Sequence, residues 1–569
     1  MKKILLIMIC SMAAFVTSCS LEETPYSITS EKLGQTEEGA EQLVTGIYAT
    51  FWDNWCMEQT YMAWMDYDND HCGAPAWVLS SAGSGDITGH YAYNTNNDLW
   101  SVFYRMISRA NKAKEALEST DSYQTESAVR QLYGETLFLR AFAYFHLVRM
   151  YGAVPLRLSS EAETDCPRAS VEAVYNTIVN DLETCLEYMY YTSEGNVGAW
   201  GHADKTAAAL LLARVYCTMG SSALTCKGNT EIIVDIKGVD KKYTCNAVEG
   251  AENIDAQQCY QRAKELCDMV IARRGVDFDL VEGYLNLWGG NNRKNKEFVW
   301  GATSVSDVDF QTSGLHSYYT PAPYGGSGAW IYMAPNLYTQ FDKEDDRIVH
   351  GVWHYFLTSY TSTKWVSFPS LSDEYNAESL PDNLKAFVPD FNAEYKYGVP
   401  CLTKWYKGDI SNPTFFKQKE ASQSEQDVIL IRYAEAFLLR AEAEVELGDI
   451  TAAMKDIDVI RKRAKATTLY TNKVTDKIEA RSLVLKERAL EFCQEFNRKF
   501  DLLRWGLYLD VMNDTQFIVC GSANRSTIRS KKNLLYAIPT AEIAENKLIG
   551  ANNYLSLIHI SEPTRPRLI

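Results

Sequence analysis

Residues 137–156 read LFLRAFAYFHLVRMYGAVPL, and the spacing of their apolar side chains decides how the rest of the chain is read. Leu137, Ala141, Tyr144, Val148 and Tyr151 step by four, three, four and three, which places them on one stripe of an α-helix. Such a stripe has to be buried. Gly152 offers a C-terminal stop, and Pro155, three residues later, cannot extend the helix, so the chain turns there. Arg140 and Arg149 fall off the stripe.

Helical spacing continues on both sides of this stretch. Residues 38–53, EGAEQLVTGIYATFWD, predict an amphipathic helix with Leu43, Ile47, Thr50 and Phe51 on one side. Residues 64–98 have little periodicity, whereas 99–117 return to it, and a helix over 131–151 then completes a hairpin. A second helical pair is predicted over 171–188 and 205–219, and a further helix over 256–273, after an insert at 221–255. From about 275 to 426 the chain is rich in Trp, Tyr, Gly and Pro, which predicts loops and small elements laid over a helical scaffold. Helical order resumes at Val428: Ile431, Ala434, Leu438, Ala441 and Val445 form one stripe, Gly448 and Asp449 turn the chain, and Ala453, Ile457, Ile460 and Ala464 return. That is a tetratricopeptide-like hairpin, although no strict 34-residue period holds across the chain. The fold class expected is mainly α, with such hairpins as scaffold and a loop-rich region with short elements on top.

The composition narrows the chemistry. Against 56 basic residues stand 73 acidic ones, a formal charge of −17, which disfavours a phosphate-tracking surface and excludes nucleic acid as the expected partner. Aromatics make up 12%, with 35 Tyr and 13 Trp, enough to leave some for stacking after the core is filled. The 14 cysteines form no CxxC pair and read mostly as small buried hydrophobes; Cys226 and Cys245, which bracket the insert, are the one pair whose bonding needs checking. Residues 1–18 start with two lysines and an apolar run and end in Thr17, Ser18 and then Cys19, which reads as a removable signal with a lipobox-like end. Cleavage before Cys19 and lipid attachment to it follow. At about 0.8 kcal/mol per buried methylene, several acyl chains hold a protein firmly.

Arg140, the aromatic run, Arg149 and the closing Tyr-Gly-x-Val-Pro-Leu resemble the core helix of the SusD/RagB family of outer-membrane lipoproteins. The segment 99–117, with its Trp-x-x-x-Tyr and downstream Arg-Ala-Asn, resembles that family too, as do RYAEAFLLRAEAEVELG at 432–448, LKERALEFCQEFNRKFDLLRWG at 485–506 and YAIPTAEIAEN at 536–546. The resemblance implies one domain over 36–554, with scaffold at about 36–273 and 427–554 and a ligand face carried by about 275–426. It is preceded by the signal at 1–18 and a lipidated Cys19 with tether over 19–35. The family's chains usually end near Asn553 or Tyr554, so 555–569 read as a non-native tail, with a natural disordered tail as the alternative. Further implications are capture of oligosaccharide at the cell surface, delivery to a SusC-like TonB-dependent transporter, no catalytic residue and no cofactor. Glu22 and Glu23, just after Cys19, resemble a surface-export signal of the bacteria that carry this family, so the protein is expected to face outward from the outer membrane. Arg140, Arg149, Trp505 and Tyr536 belong to the scaffold signature and are not expected to touch ligand.

Asp66, Asp68 and Asp70 have the alternate spacing of a calcium loop, but His71 stands where glycine is wanted and Trp77 where a bidentate glutamate is wanted. What stays open is an irregular calcium site, acids that accept ligand hydroxyls, or solvated loop acids. His350 and His354 are four apart but lack the glutamate of a zinc-protease motif, and no GxSxG elbow, phosphate loop or dinucleotide fingerprint occurs. Sugars stack an apolar ring face on Trp or Tyr while their hydroxyls bond amides and carboxylates. That mixture occurs twice. One patch is Trp77, Tyr91, Tyr93 and Asn94 with Asp66 and Asp68; the other is Tyr318, Tyr319, Tyr324 and Trp330 in HSYYTPAPYGGSGAW. The resemblance implies that two such regions converge over the scaffold. Alternatives are a peptide-binding member of the same family, a surface glycosidase whose carboxylate pair local spacing does not reveal, and a helical adaptor for proteins.

Overall fold

Antiparallel helix pairs, stacked in chain order, form the scaffold seen in a computed structural model, which describes residues 30–57, 61–73, 90–161, 164–236, 238–305, 312–322, 324–326, 331–357, 360, 365–367, 400–418, 424–515 and 528–550. The principal helices are α1 (Glu37–Tyr48), α2 (His90–Glu118), α3 (Ser127–Tyr151), α4 (Val171–Tyr188), α5 (Lys205–Thr225), α6 (Ala256–Ala272), α7 (Ala434–Leu447), α8 (Ile450–Arg463), α9 (Lys477–Glu491), α10 (Arg498–Arg504) and α11 (Tyr508–Asp514). Local chemistry sets many of their starts. Thr36, Ser170, Asp204, Asp255, Asp449 and Asp476 each accept a backbone N–H of the first turn, satisfying donors that the helix itself leaves unpaired. α3 packs on α2 and α4, α5 on α6, α6 on α7, and α7 on α8 and α9, the tetratricopeptide-like arrangement expected.

The deciding stretch is the C-terminal part of α3, and more than one stripe of it is buried. Nearly the whole helix from Val129 to Tyr151 lies inside, Arg140 included, because neighbouring elements cover it on all sides. Arg140 is accommodated by a bidentate pair with Asp181 of α4, at 2.8 and 2.7 Å, and by Asn111 of α2 at 2.9 Å. The same Asn111 donates to the carbonyls of Arg157 and Ser159, and Tyr104 donates to that of Pro155. Those bonds hold the chain that leaves α3. Gly152 ends the helix at φ 73° and ψ −128°, a conformation open to glycine.

Ten strands form five two-stranded antiparallel ladders among the described residues: β1 (Cys72–Gly73) with β5 (Tyr332–Met333), β2 (Glu231–Ile236) with β3 (Val239–Thr244), β4 (Phe298–Ala302) with β10 (Val428–Arg432), β6 (Val352–Trp353) with β9 (Cys401–Leu402), and β7 (Tyr355–Leu357) with β8 (Trp365–Ser367). Here the sequence reading needs correction. Residues 428–432, assigned above to a helical stripe, are strand β10, and the helix starts at Ala434. VILI, ahead of Arg432, is a short continuous apolar run, buried on both faces, and periodicity alone does not separate strand from helix in such a run. The insert forms the β2–β3 hairpin, whose Ile232, Val234 and Tyr243 pack with Leu502, Trp505 and Tyr508. Cys226 and Cys245 are both free thiols, and ten of the eleven described cysteines are buried.

A buried ionic cluster fastens the loop-rich layer to the scaffold. Arg432 donates to Glu297 at 2.5 Å and to Glu495 at 2.7 Å; Arg463 bonds Glu297 and Glu491; Arg347 bonds Asp345, Glu487 and Glu491; Arg461 bonds Glu487; and Lys404 bonds Glu495. Burial works against the Glu491 carboxylate, but Arg463, Arg432 and Arg347 outweigh it and hold its pKa well below the usual range.

Candidate ligand-binding site

The two aromatic regions meet where β1 pairs with β5. Cys72 stands opposite Met333 and Gly73 opposite Tyr332, and Ala334 N–H donates to the His71 carbonyl at 2.8 Å. A Cβ on Gly73 would lie 2.1 Å from the ring of Tyr332, so any larger residue there has to displace that buried ring. A side-chain bond joins the same regions: the Tyr319 hydroxyl donates to Asp66 at 2.7 Å.

The acids of the early loop face inward. Asp66 and Asp68 are 1% and 3% exposed. Burial pushes the Asp66 carboxyl up to about 7, against the hydrogen bond from Tyr319. Asp68 accepts from Lys499 at 3.0 Å, from Arg529 at 2.7 Å and from the Tyr508 hydroxyl. Asp70 takes a bidentate bond from Arg498 at 2.8 and 2.7 Å; burial pushes its carboxyl up, but Arg498 and His71 outweigh burial and hold it at about 2. These carboxylates are thus set to hold the loop against α10 and α11, rather than solvated or open to a ligand hydroxyl. The protein's own cations supply the charge that a calcium ion would bring. Among the described residues no group of three or more His, Cys, Asp or Glu is placed to hold a metal. His350 lies 2.7 Å from Asp346, and His354 Nε2 lies 3.2 Å from the Val349 carbonyl.

The candidate aromatics divide. Tyr319 and Tyr324 are buried at 0% and 2%, the latter stacked on Trp353 with ring centroids 3.8 Å apart, so both pack inside the loop layer. Tyr318 is half-buried. Trp77 and Trp330 lie outside the described residues, as do the side chains of Tyr91, Tyr93 and Asn94, whose backbone begins α2. Cys19, the signal and the terminal stretch 555–569 also lie outside them. The sequence reading missed Arg498, Lys499 and Arg529 as partners of the early acids. The NRKF stretch carried the charges of Arg498 and Lys499, and Arg529 lies in NRSTIRS at 524–530, but nothing local said where their counterions sit.

This arrangement, two loop regions clasped over tetratricopeptide-like hairpins, defines a class of helical proteins with a loop-built face. The SusD family profile matches residues 289–555, and a second profile, described as starch-binding associating with outer membrane, matches 21–217. A SusD-like protein of Formosa agariphila is 24% identical over 534 residues, 87% of this chain and 88% of that one. The starch-binding protein SusD of Bacteroides thetaiotaomicron is 24% identical over 475 residues, 77% of this chain and 75% of that one. In fold, the crystal structure of a SusD homologue from Bacteroides thetaiotaomicron superposes with a TM-score of 0.72 at 18% identity, covering 93% of this chain and 99% of that one. The chain belongs to the SusD/RagB family.

Proposed function

We propose that this protein is a cell-surface glycan-binding lipoprotein that captures oligosaccharides and passes them to a SusC-like TonB-dependent transporter. The observation that carries the reading is the clasp of the two aromatic-rich regions, β1 on β5 and Tyr319 on Asp66, over the scaffold. The starch-binding relative and the starch-binding, outer-membrane description of the second profile support the same reading. Trp77, Tyr91, Tyr93, Asn94, Tyr318 and Trp330 are the proposed contacts. Aromatic faces would stack on sugar rings, and Asn94 would bond their hydroxyls. Tyr319, Tyr324, Asp66 and Asp68 would support these contacts from beneath. Capture by stacking and hydrogen bonding needs no catalytic group, metal or cofactor, and lipid on Cys19 would tether the protein to the outer membrane with the glycan face outward.

Affinity electrophoresis of the purified protein through a panel of plant, host and microbial polysaccharides tests this, with product release assayed in parallel. Retardation by one polymer without cleavage, lost in Trp77→Ala or Trp330→Ala, is the expected result. Cleavage would replace the reading with a glycosidase. No retardation by any polymer would turn it toward a peptide ligand.

A further inference from the structure

A cavity of about 320 Å³ lies between the end of α3, the start of α4, the loop at 246–251 and the α10–α11 turn, and none of its lining residues belongs to the β1–β5 clasp. Its volume sits at the lower end of ligand-sized pockets, roughly 300–1,000 Å³. Tyr151, Thr218, Ser222 and Tyr508 on its walls are buried, whereas Asn246, Ala247 and Glu249 on the loop are exposed, so the cavity is floored by the core and rimmed by solvent.

Arg149 is its unusual member. The guanidinium carbon lies 3.9 Å from the Phe145 ring centroid and 4.0 Å from that of Phe500, and Nε donates to the Phe145 carbonyl at 3.1 Å. Its two terminal nitrogens make no hydrogen bond to a described residue, and among the described residues no carboxylate lies within ion-pair distance. The neighbouring core arginines Arg140, Arg214, Arg488 and Arg504 all rest on carboxylates. Burial pushes Arg149 down to about 10, in keeping with a cation that has no counterion beside it. Tyr175, also on the wall, makes no hydrogen bond through its hydroxyl among the described residues. Ser170 and Val171 bring the positive end of the 18-residue α4 to the same cavity. The other charges on the wall are Arg168, Glu249 and Arg504, and Arg504 is already committed to Glu442 and Asp501.

We propose that this cavity binds a small amphipathic carboxylate, separate from the glycan face, with the carboxylate on the free fork of Arg149 and the apolar body against Phe500, Leu503 and Leu535. A planar guanidinium already fixed between two rings meets a carboxylate in bidentate geometry with little loss of side-chain freedom. The wall supplies the apolar contact that a fully hydrated anion would not use.

Isothermal titration of the purified protein with 3-phenylpropionate, its uncharged amide and acetate tests the site. The expected result is saturable binding of 3-phenylpropionate with a Kd of ~1 mM or tighter, and at least about tenfold weaker binding of both the amide and acetate. Arg149→Met removes the preference for acid over amide. Val248→Trp fills the cavity from the loop without touching Arg149 and abolishes both, which keeps the test decisive if Arg149→Met fails to fold. Absence of saturable binding of 3-phenylpropionate, equal binding of acid and amide, or binding unchanged in Val248→Trp would overturn the proposal.

Discussion

Asp68 and Lys499, 431 positions apart in the chain, meet at 3.0 Å in the protein interior. Arg529 reaches the same carboxylate at 2.7 Å, and the Tyr508 hydroxyl bonds it as well. One buried acid thus ties the early loop to three places in the last eighty residues. Any ligand surface built by that loop inherits its position from this knot.

Replacing Asp68 by Asn is therefore expected to destabilise the protein by about 3–5 kcal/mol, since two buried cations lose their counterion together. Urea denaturation measures it. A second expectation separates this from a general packing defect: Lys499→Met combined with Asp68→Asn costs less than the sum of the two single changes, because the second change removes a charge the first has stranded. Additive costs would show that the pair is not coupled.

Asp66 gives a pH signature. Burial raises its carboxyl to about 7, whereas an unfolded aspartate releases its proton near 4. Between those values the folded chain binds more protons than the unfolded one, so this group's contribution to stability falls as pH rises from about 4 to about 7, then levels off. In Asp66→Asn that decline is absent, and the stability difference between variant and wild type moves in the variant's favour by a few kcal/mol across the same window. Denaturation midpoints at half-unit pH steps measure it. Parallel curves would mean that Asp66 titrates normally in the folded state.

Sequence reading went furthest where a signal was local. The helix over 171–188 was predicted with the ends it has, and in the structure the Ser170 side chain caps its start. It failed where two local readings compete, as in VILIR at 428–432, where a strand continues directly into a helix. It also stopped short at α3: one stripe was legible, but burial on every side depends on which helices arrive from elsewhere. The early acids show the same boundary for the site. Asp66, Asp68 and Asp70 stood out as a group, yet their spacing did not disclose that Tyr319, Lys499, Arg529 and Arg498 would come to meet them. Arg149 was assigned to the scaffold on sequence grounds; that no described carboxylate pairs with it is visible only once the walls of the cavity are in place.

The ionic cluster that joins the loop layer to the scaffold is expected to be costly to break and cheap to imitate badly. Arg432, fully buried, serves Glu297 and Glu495 together. In the whole cluster five acids, Glu297, Asp345, Glu487, Glu491 and Glu495, face five cations, Arg347, Lys404, Arg432, Arg461 and Arg463, so Arg432→Met leaves one buried negative charge in excess and is expected to cost about 3–5 kcal/mol. The half-exposed pair Arg105–Asp53, at 2.6 Å, provides the contrast: Arg105→Met is expected to change stability by less than ~1 kcal/mol, because solvent screens that pair. Equal effects in the two variants would argue that burial, and not the pairing itself, has been misjudged as the source of the cost.

Two glycines are expected to respond to alanine with opposite sign, and the reason lies in backbone angle rather than in location. Gly152 closes α3 at φ 73° and ψ −128°, where a Cβ would be strained and would also lie 3.0 Å from Leu535 Cδ1. Gly152→Ala is expected to destabilise by about 1–3 kcal/mol. Gly46 sits inside α1 with no atom within 4 Å of a built Cβ, so Gly46→Ala meets no neighbour and restricts the unfolded chain, a gain of about 0.5–1 kcal/mol. Both are read from urea denaturation midpoints. If Gly152→Ala is neutral, the chain leaving α3 has a second route past Leu535, and the bonds from Asn111 and Tyr104 alone set the turn.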